Sequence, residues 1–278
     1  MYLEIPFPQG LSLKIGDASA GRNKFPTGHL QNGFLLVDRG YELAEEAVGF
    51  GVPVLQKGLQ TIFPGAVKLS WAKSGSFTWQ INAVFTLNLV EKITRDGNID
   101  LENRLLYALK NGAAALIRSL PGLRRMLTAT SSQLRRLFHL ETTYAQAGFN
   151  ITLAVRYTLD TLTGKIQVEI DTPGLPEDIS SVMIMNEQGA HYFDHYHDSS
   201  GIEIHGEAIG CWDEVTARQA WFESKLHKVA FKLDQVQGAR LFRGRELIGS
   251  RLAWAGFGYS FSPSLSTFHY EMIVERLV

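Results

Sequence analysis

The sequence predicts a mainly β protein, built as a large antiparallel β-sandwich or curved sheet with one α-helical insertion at about residues 98–147. Segments in which apolar and polar residues alternate lie on both sides of the insertion. Glycine and proline turn signals separate these segments, while leucines at helical spacing are concentrated in the insertion. Strands on both sides of one helical block predict a single domain over residues 1–278, with the helices covering an edge or an opening of the sheet.

The first strands are predicted to be short, because glycine and proline interrupt the opening sixty or so residues. From Phe77 the pattern changes to FTWQINAVFTLNLVEKI, in which aromatic and β-branched residues dominate. This segment predicts one long strand or two bent ones.

The helical block follows. Asp100 can cap a first helix, and Pro121 with Gly122 ends it because proline removes a backbone donor. A second helix places its arginines largely outside the apolar stripe, which indicates a solvated face or a basic surface for anionic lipid. The stripe of the first helix consists of Leu101, Leu105, Leu109, Leu116 and Leu120.

After Gly148 the sequence returns to strands. Residues 151–171 predict a hairpin around the turn TLTG, with one face in water. Two further segments, VAFKLD and FHYEMIVERL, also alternate. The residues predicted to face the core are Val155, Tyr157, Leu159, Ile166, Val168, Ile170, Val229, Phe231, Leu233, Phe268, Tyr270, Met272 and Val274.

Composition excludes several classes of partner. The 27 lysines and arginines balance 28 aspartates and glutamates, so no nucleic acid partner is expected. Cys211 is the single cysteine, which excludes an internal disulfide. No segment is apolar enough for a transmembrane helix or a signal peptide, so we expect a soluble, cytoplasmic protein, with export after removal of a signal left open.

Common catalytic motifs are absent from the sequence. It contains no G-x-S-x-G elbow, P-loop, G-x-G-x-x-G after a strand, paired C-x-x-C or H-E-x-x-H. Serine hydrolase, nucleotide and zinc protease chemistry therefore lose most of their support, although a triad assembled from distant residues stays open.

The segment HYFDHYHDSSGIEIHGE, residues 191–207, holds four of the eight histidines. Asp198 and Gly201 suit a three-residue hairpin loop with a glycine bulge, which places His197 opposite Glu203 and His195 opposite His205. In this register the polar residues lie on one face of the hairpin and the apolar residues on the other, whereas a shift by one residue mixes them on both faces. The predicted polar face carries His191, Phe193, His195, His197, Glu203, His205 and Glu207, and the other face carries Tyr192, Tyr196, Ile202, Ile204 and Ala208.

The polar face admits three interpretations. His195, His197, Glu203 and His205 are the residue types that bind a divalent transition metal, the one cofactor the sequence suggests. The same groups could transfer protons in a metal-free site, because histidine titrates near neutrality. The third interpretation is a solvated hairpin face without a site.

Part of this hairpin resembles the first cupin motif, through Gly189, His195, His197, Glu203 and Gly210 in that order. The spacing from His197 to Glu203 is longer than in that motif, and no second cupin motif follows. The resemblance covers about twenty residues of 278 and implies only that such a hairpin can hold a metal.

We expect a small polar or amphipathic ligand, with carbohydrate as one candidate class, to bind in a concave sheet bordered by this hairpin. His191, Tyr192, Asp194 and Trp212 are the predicted ligand-binding residues. One alternative is a metal-dependent or acid/base carbohydrate-active enzyme, an isomerase, lyase or hydrolase, with Glu203 and Glu207 as catalytic residues. Another is a non-catalytic interaction protein that uses the helical insertion as its contact surface.

Overall fold

A computed structural model describes residues 2–16, 33–44, 49–58, 60–95, 99–100, 140–210, 212–248 and 252–277. Most of these residues lie in antiparallel strands, which confirms the predicted β class. No helix in the described ranges is long and apolar enough to cross a membrane. The strands are β1 (Tyr2–Phe7), β2 (Leu11–Gly16), β3 (Leu35–Asp38), β4 (Tyr41–Glu42), β5 (Phe50–Lys57), β6 (Gln60–Lys73), β7 (Thr78–Arg95), β8 (Ile99–Asp100), β9 (Leu140–Asp160), β10 (Lys165–Asp171), β11 (Ser181–Gln188), β12 (His195–Asp198), β13 (Glu203–His205), β14 (Asp213–Glu214), β15 (Gln219–Ser224), β16 (Val229–Asp234), β17 (Ala239–Ile248), β18 (Leu252–Phe261) and β19 (Thr267–Arg276), and the short 3-10 turns are Pro8–Gly10 and Gly206–Ile209.

The strands form a small sheet and a large one. The small sheet has the order β1-β2-β3-β4. The large sheet has the order β13-β12-β15-β16-β19-β10-β9-β7-β6-β5-β11-β18-β17-β14, and β8 pairs with β7. Every pairing is antiparallel.

The large sheet folds into two layers that pack face to face. Phe231 of β16 contacts Phe50 of β5, with ring centroids 5.0 Å apart, and Phe222 of β15 contacts Phe257 of β18 at 4.9 Å. The strands from β13 to β6 therefore form a first layer, covered on one side by β5, β11 and β18. Buried aromatic rings between the layers supply the core, since each removes a large apolar surface from water.

The alternation read from the sequence matches the observed strands. In the β9–β10 hairpin Val168 lies opposite Tyr157 and Ile166 opposite Leu159, and all four are buried. Alternate residues of β16 and β19 are likewise buried. The segment FTWQINAVFTLNLVEKI lies almost entirely in the long strand β7.

The predicted helical insertion at 98–147 is wrong at both of its ends. Ile99 and Asp100 form β8, so Asp100 is not a helix cap. Residues 140–147 belong to β9, which pairs with β7 from Leu140 opposite Arg95. Pairing along a neighbouring strand overrode local helical spacing there. Residues 101–139, and with them the contact surface of the interaction hypothesis, lie outside the described residues.

Bulges interrupt the two longest central pairings. The register between β6 and β7 shifts around Pro64, and that between β7 and β9 shifts between Leu87 and Leu89. Proline fits a bulge because it donates no ladder hydrogen bond.

The small sheet is fixed to the large one by buried polar groups. The Gln188 side chain accepts a hydrogen bond from Leu36 N at 3.0 Å and donates one to Phe34 O at 2.9 Å. Asp38, which is 5% exposed, binds Nδ1 of His227 at 2.9 Å and the guanidinium of Arg276. Burial by itself raises the pKa of Asp38, but the hydrogen bonds from His227 and Arg276 outweigh burial and hold the pKa below its usual value.

A second buried polar cluster joins the two layers. Gly51 has a φ of +78° and donates its N–H to Oδ1 of Asn186 at 3.0 Å. The same Asn186 oxygen accepts a hydrogen bond from the Tyr270 hydroxyl at 2.8 Å, and the Tyr157 hydroxyl donates to Gly51 O at 2.7 Å. These bonds connect β5 and β11 with β9 and β19.

Candidate functional site

The hairpin of β12 and β13 adopts the predicted register. His195 lies opposite His205 and His197 lies opposite Glu203. The loop closes as predicted, because Gly201, with a φ of +88°, donates its N–H to Asp198 O at 3.0 Å. Asp198 N donates to Ile202 O at 3.1 Å, which completes the three-residue loop.

The Asp198 carboxylate fixes the loop from inside. It accepts hydrogen bonds from Ser200 N at 2.9 Å and from the Tyr196 hydroxyl at 2.8 Å. Burial tends to raise the pKa of Asp198, but these hydrogen bonds, together with those from the Ser200 hydroxyl and Ile202 N, keep the pKa below its usual value. The carboxylate therefore holds the loop as an anion at neutral pH.

The inward side of β12 is anchored in the core. Tyr196 is fully buried against Phe222 and Phe257, and the Arg243 guanidinium lies 4.4 Å from its ring centre. Burial raises the pKa of Tyr196, and the hydrogen bond to Asp198 adds to this effect. With Tyr196 fixed inward, His195 and His197 must face outward, because side chains alternate along a strand.

The outward side carries a cluster that we call the histidine face, which extends over β13, β12 and β15. The rings of His195 and His205 lie 4.2 Å apart between centroids. Asp194 Oδ1 lies 2.7 Å from His195 Nδ1, and Glu203 Oε1 lies 3.2 Å from His205 Nε2. The histidine face consists of Asp194, His195, His197, Glu203, His205, Trp221 and Glu223.

Two of these residues, Trp221 and Glu223, were not predicted from the sequence to belong to the site. They come from β15, in which Ala220, Phe222 and Ser224 point inward. Trp221 lies opposite His197, with ring planes 10° apart and centroids at 5.8 Å, and its indole N–H donates to Glu223 Oε1 at 3.1 Å. The alternation in QAWFES predicts an outward Trp221, but no local signal identifies β12 as the partner strand.

His197 is held among carboxylates without a well-aligned hydrogen bond. Its Nε2 lies 3.2 Å from Glu223 Oε2 and 3.9 Å from Glu203 Oε1. Neither contact has hydrogen-bond geometry, and the nitrogen is buried.

The hairpin ladder is shorter than the sequence predicted, so some predicted residues lie outside it. Phe193 is fully buried, and His191 lies in the turn before β12. Glu207 lies in the 3-10 turn Gly206–Ile209, and Tyr192 contacts the His227 ring at a centroid distance of 5.5 Å. The backbone turns before His195 and after His205. Side chains therefore stop alternating there, and the predicted polar face does not extend to His191 or Glu207.

Trp212 does not stack on the histidines. Its ring is nearly parallel to that of Trp254, with centroids 4.8 Å apart. The Trp212 ring lies against Gly258, and the Trp254 ring lies against Gly244. Its φ of +54° is uncommon for a bulky residue. This stack belongs to the outer side of β17 and β18, so the tryptophan of the histidine face is Trp221.

The metal interpretation gains no support from the geometry. Within the described ranges, no group of three or more histidine, cysteine, aspartate or glutamate side chains is arranged to hold a metal ion. Binding of a divalent transition metal by His195, His197, Glu203 and His205 therefore stays a prediction.

A groove of about 390 Å³ lies on the same outer side of the first layer, over β7, β9, β10 and β19. Two transverse rows of polar side chains line it. The first row consists of Asn82, Arg156, Glu169 and His269. The second row, next to the first, consists of Gln80, Thr158, Gln167 and Glu271.

The charges of the groove are paired. Arg156 binds both Glu169 and Asp171. Glu271 accepts hydrogen bonds from Lys165 at 2.8 Å and from Gln167 at 2.7 Å. The hydrogen bond from Lys165 is the largest of the effects that lower the pKa of Glu271, and the hydrogen bond from Gln167 adds to it.

Comparison with known proteins bears on the fold alone. The sequence matches no family model and no curated protein. Among solved structures, the chain is similar to alpha-N-acetylgalactosaminidase NagBb from Bifidobacterium bifidum in a Gal-NHAc-DNJ complex, with a TM-score of 0.52 and 9% identity over 99% of this chain and 36% of that one. The GalNAc complex of the same enzyme gives a TM-score of 0.50 at 10% identity, again over 99% and 36% of the two chains. A galactose mutarotase-like protein from Lactobacillus casei gives 0.42 at 10% identity, over 99% of both.

The chain thus spans about a third of the length of the NagBb chain that it matches. At these identities the likeness to NagBb shows the fold alone.

Proposed function

We propose that this protein binds a carbohydrate at the histidine face. The observation that carries the proposal is the nearly parallel pair of Trp221 and His197, bordered by Glu203 and Glu223. An aromatic ring offers a flat apolar surface to the C–H groups of a sugar, and carboxylates and imidazoles accept or donate hydrogen bonds to its hydroxyls.

The rigidity of the histidine face supports binding. His195 and Glu223 have only 16% of their side chains exposed, and Tyr196 anchors β12 from below. Groups fixed before the ligand arrives lose less conformational entropy on binding. The likeness to NagBb, an alpha-N-acetylgalactosaminidase seen in a GalNAc complex, agrees with a carbohydrate as ligand.

Replacing Trp221 with alanine is expected to weaken sugar binding by about tenfold or more, which corresponds to about 1.4 kcal/mol. Titration calorimetry with glucose, galactose, GlcNAc and GalNAc measures the loss. The matched control is Trp79→Ala, because Trp79 is also half-buried but lies at the far end of β7, near Lys73. Equal affinities for the wild type and Trp221→Ala, or equal losses in both variants, would contradict the proposal.

Acid/base catalysis at the same face is the second candidate, because Asp194 lies 2.7 Å from His195 Nδ1. A carboxylate in this position orients the ring, and when Nδ1 carries the proton, Nε2 is free to act as a base. Glu203 or Glu207 would then take the complementary role proposed from the sequence, with a metal at His195, His197, Glu203 and His205 as a variant of the mechanism.

Elemental analysis separates these versions. For a metal enzyme, protein purified without a histidine tag is expected to carry stoichiometric transition metal that His195→Ala loses, whereas a binding protein carries none. Gln219→Ala, on β15 but outside the proposed ligand set, is the control. Metal retained in full by His195→Ala would contradict the ligand set.

For metal-free catalysis, proton NMR should show that a bound sugar is converted with time and that Asp194→Asn abolishes the conversion.

A further inference from the structure

One continuous cross-strand row connects the histidine face with the groove. Each residue of the row lies directly opposite the next, so all of them point to the same outer side of the first layer. In spatial order from the hairpin the row is Glu203, His197, Trp221, Lys232, Ile273 and Lys165. The groove begins beside its end, because Gln167 and Glu271 are the next outward pair along β10 and β19.

The row is long compared with one sugar ring. From β12 to β10 it crosses four inter-strand steps of about 4.8 Å, or roughly 19 Å in total. A monosaccharide on Trp221 cannot reach Gln167. A linear chain of several sugar units, lying across the strands, contacts both.

The electrostatics of the row favour a neutral chain. Lys232 binds Glu275 at 3.2 Å and Lys165 binds Glu271 at 2.8 Å, so both lysines along the row are paired with carboxylates. Ile273 lies between the two lysines and adds a partly exposed apolar contact. Paired charges do not attract a polyanion strongly, while their oxygen and nitrogen atoms can still bond to hydroxyls.

The groove is suited to hydroxyl recognition. Its two rows present amides, a threonine hydroxyl, an imidazole and carboxylates side by side on adjacent strands. The Arg156 guanidinium is held by Glu169 and Asp171, so its position is set before a ligand arrives. Mixed donors and acceptors in fixed positions match a polyhydroxylated ligand better than a single-charge ligand.

We propose that the histidine face and the groove are two ends of one binding surface for a linear, neutral oligosaccharide. This inference rests on the proposed function and names its substrate class: the ligand is a chain, and its terminal unit alone occupies the histidine face.

A length series tests the inference. Malto-, cello- and chito-oligosaccharides of one to six units are titrated into the wild type, and affinity is expected to rise by about tenfold or more from one unit to six in the series that binds. Gln167→Ala should lower affinity for the hexasaccharide several-fold while leaving the monosaccharide unchanged, and Trp221→Ala should weaken both. Affinity should change little between low and high salt, because the surface is charge-paired.

Gln60→Ala, an exposed glutamine at the start of β6, is the matched control. If affinity does not depend on chain length but Trp221→Ala still abolishes binding, the inference of an oligosaccharide ligand is overturned and the proposed function stands. A hexasaccharide affinity equally unaffected by Gln167→Ala and Gln60→Ala would also overturn it. If no member of any series binds, the inference is overturned, and the proposed function fails with it only when galactose and GalNAc do not bind either.

Discussion

Replacing Asp38 with asparagine is expected to lower the free energy of unfolding by about 3 kcal/mol at pH 7, because breaking a buried ion pair leaves an uncompensated charge. Asp38 is the point at which β3 of the small sheet meets His227 and Arg276 of the large one. Arg276 keeps its hydrogen bonds to Gln9 O and His227 O, which limits the loss. Urea unfolding measures the change.

The Asp38 effect should depend on pH in a defined direction. The pKa of this carboxyl is lower in the folded protein than its usual value of 3.8, so the folded state favours the anion. The stabilisation is therefore complete above about pH 5 and is lost as pH falls through the lowered pKa. The difference between wild type and Asp38→Asn should shrink as pH falls from 5 toward 3. Contributions of other carboxylates cancel in this difference.

Asp178→Asn is the control for Asp38. Asp178 pairs with Lys57 at 2.6 Å, but about half of its side chain is exposed, so its loss should cost less than about 1 kcal/mol. Similar losses in the two variants, or a difference that stays unchanged down to pH 3, would show that the buried cluster does not stabilise the fold as described.

Replacing Gly51 with alanine is expected to cost about 3 to 5 kcal/mol of stability, through a crowded core and a strained backbone. A Cβ atom at Gly51 would lie 2.3 Å from Cε1 of Tyr157. Displacing that ring breaks the hydrogen bond from the Tyr157 hydroxyl to Gly51 O and disturbs the pairing with Asn186. The urea concentration at the midpoint of unfolding measures the lost stability, provided that the dependence of the unfolding free energy on urea is unchanged.

Gly40→Ala separates strain from crowding. Gly40 has a similar φ of +86°, but an added Cβ would have no neighbour within 4 Å, so only about 1 kcal/mol of strain is expected. Tyr157→Phe removes the hydroxyl alone and should cost about 1 to 2 kcal/mol, which gives a measurable value even if Gly51→Ala does not fold. Gly51→Ala losing no more stability than Gly40→Ala would refute the crowding argument.

Local chemistry made the hairpin predictable from the sequence. The residues Asp198 and Gly201 specify the loop, and the loop specifies that His195 faces His205. Burial of alternate residues in β10, β16 and β19 could be predicted for the same reason, since a strand with one wet face shows a period of two.

Non-local pairing made the rest unpredictable. Trp221 and Glu223 reach the histidine face only because β15 pairs with β12, and no residue in QAWFES specifies that neighbour. The helical interpretation failed at residues 140–147 because the partner, β7, lies more than forty residues earlier in the chain. The polar groove requires four strands that are also distant in sequence.

The bulges around Pro64 and Leu87 change the phase of the buried pattern by half a period. In β6 the buried position Ile62 is even-numbered, whereas Val67 is odd-numbered, and β7 changes from Leu87 to Val90 in the opposite sense. A strand can thus keep its apolar side toward the core on both sides of a bulge, although its periodicity averaged over the full length is weak. Deleting one residue beside Pro64 would turn Val67 toward water and Lys68 toward the core.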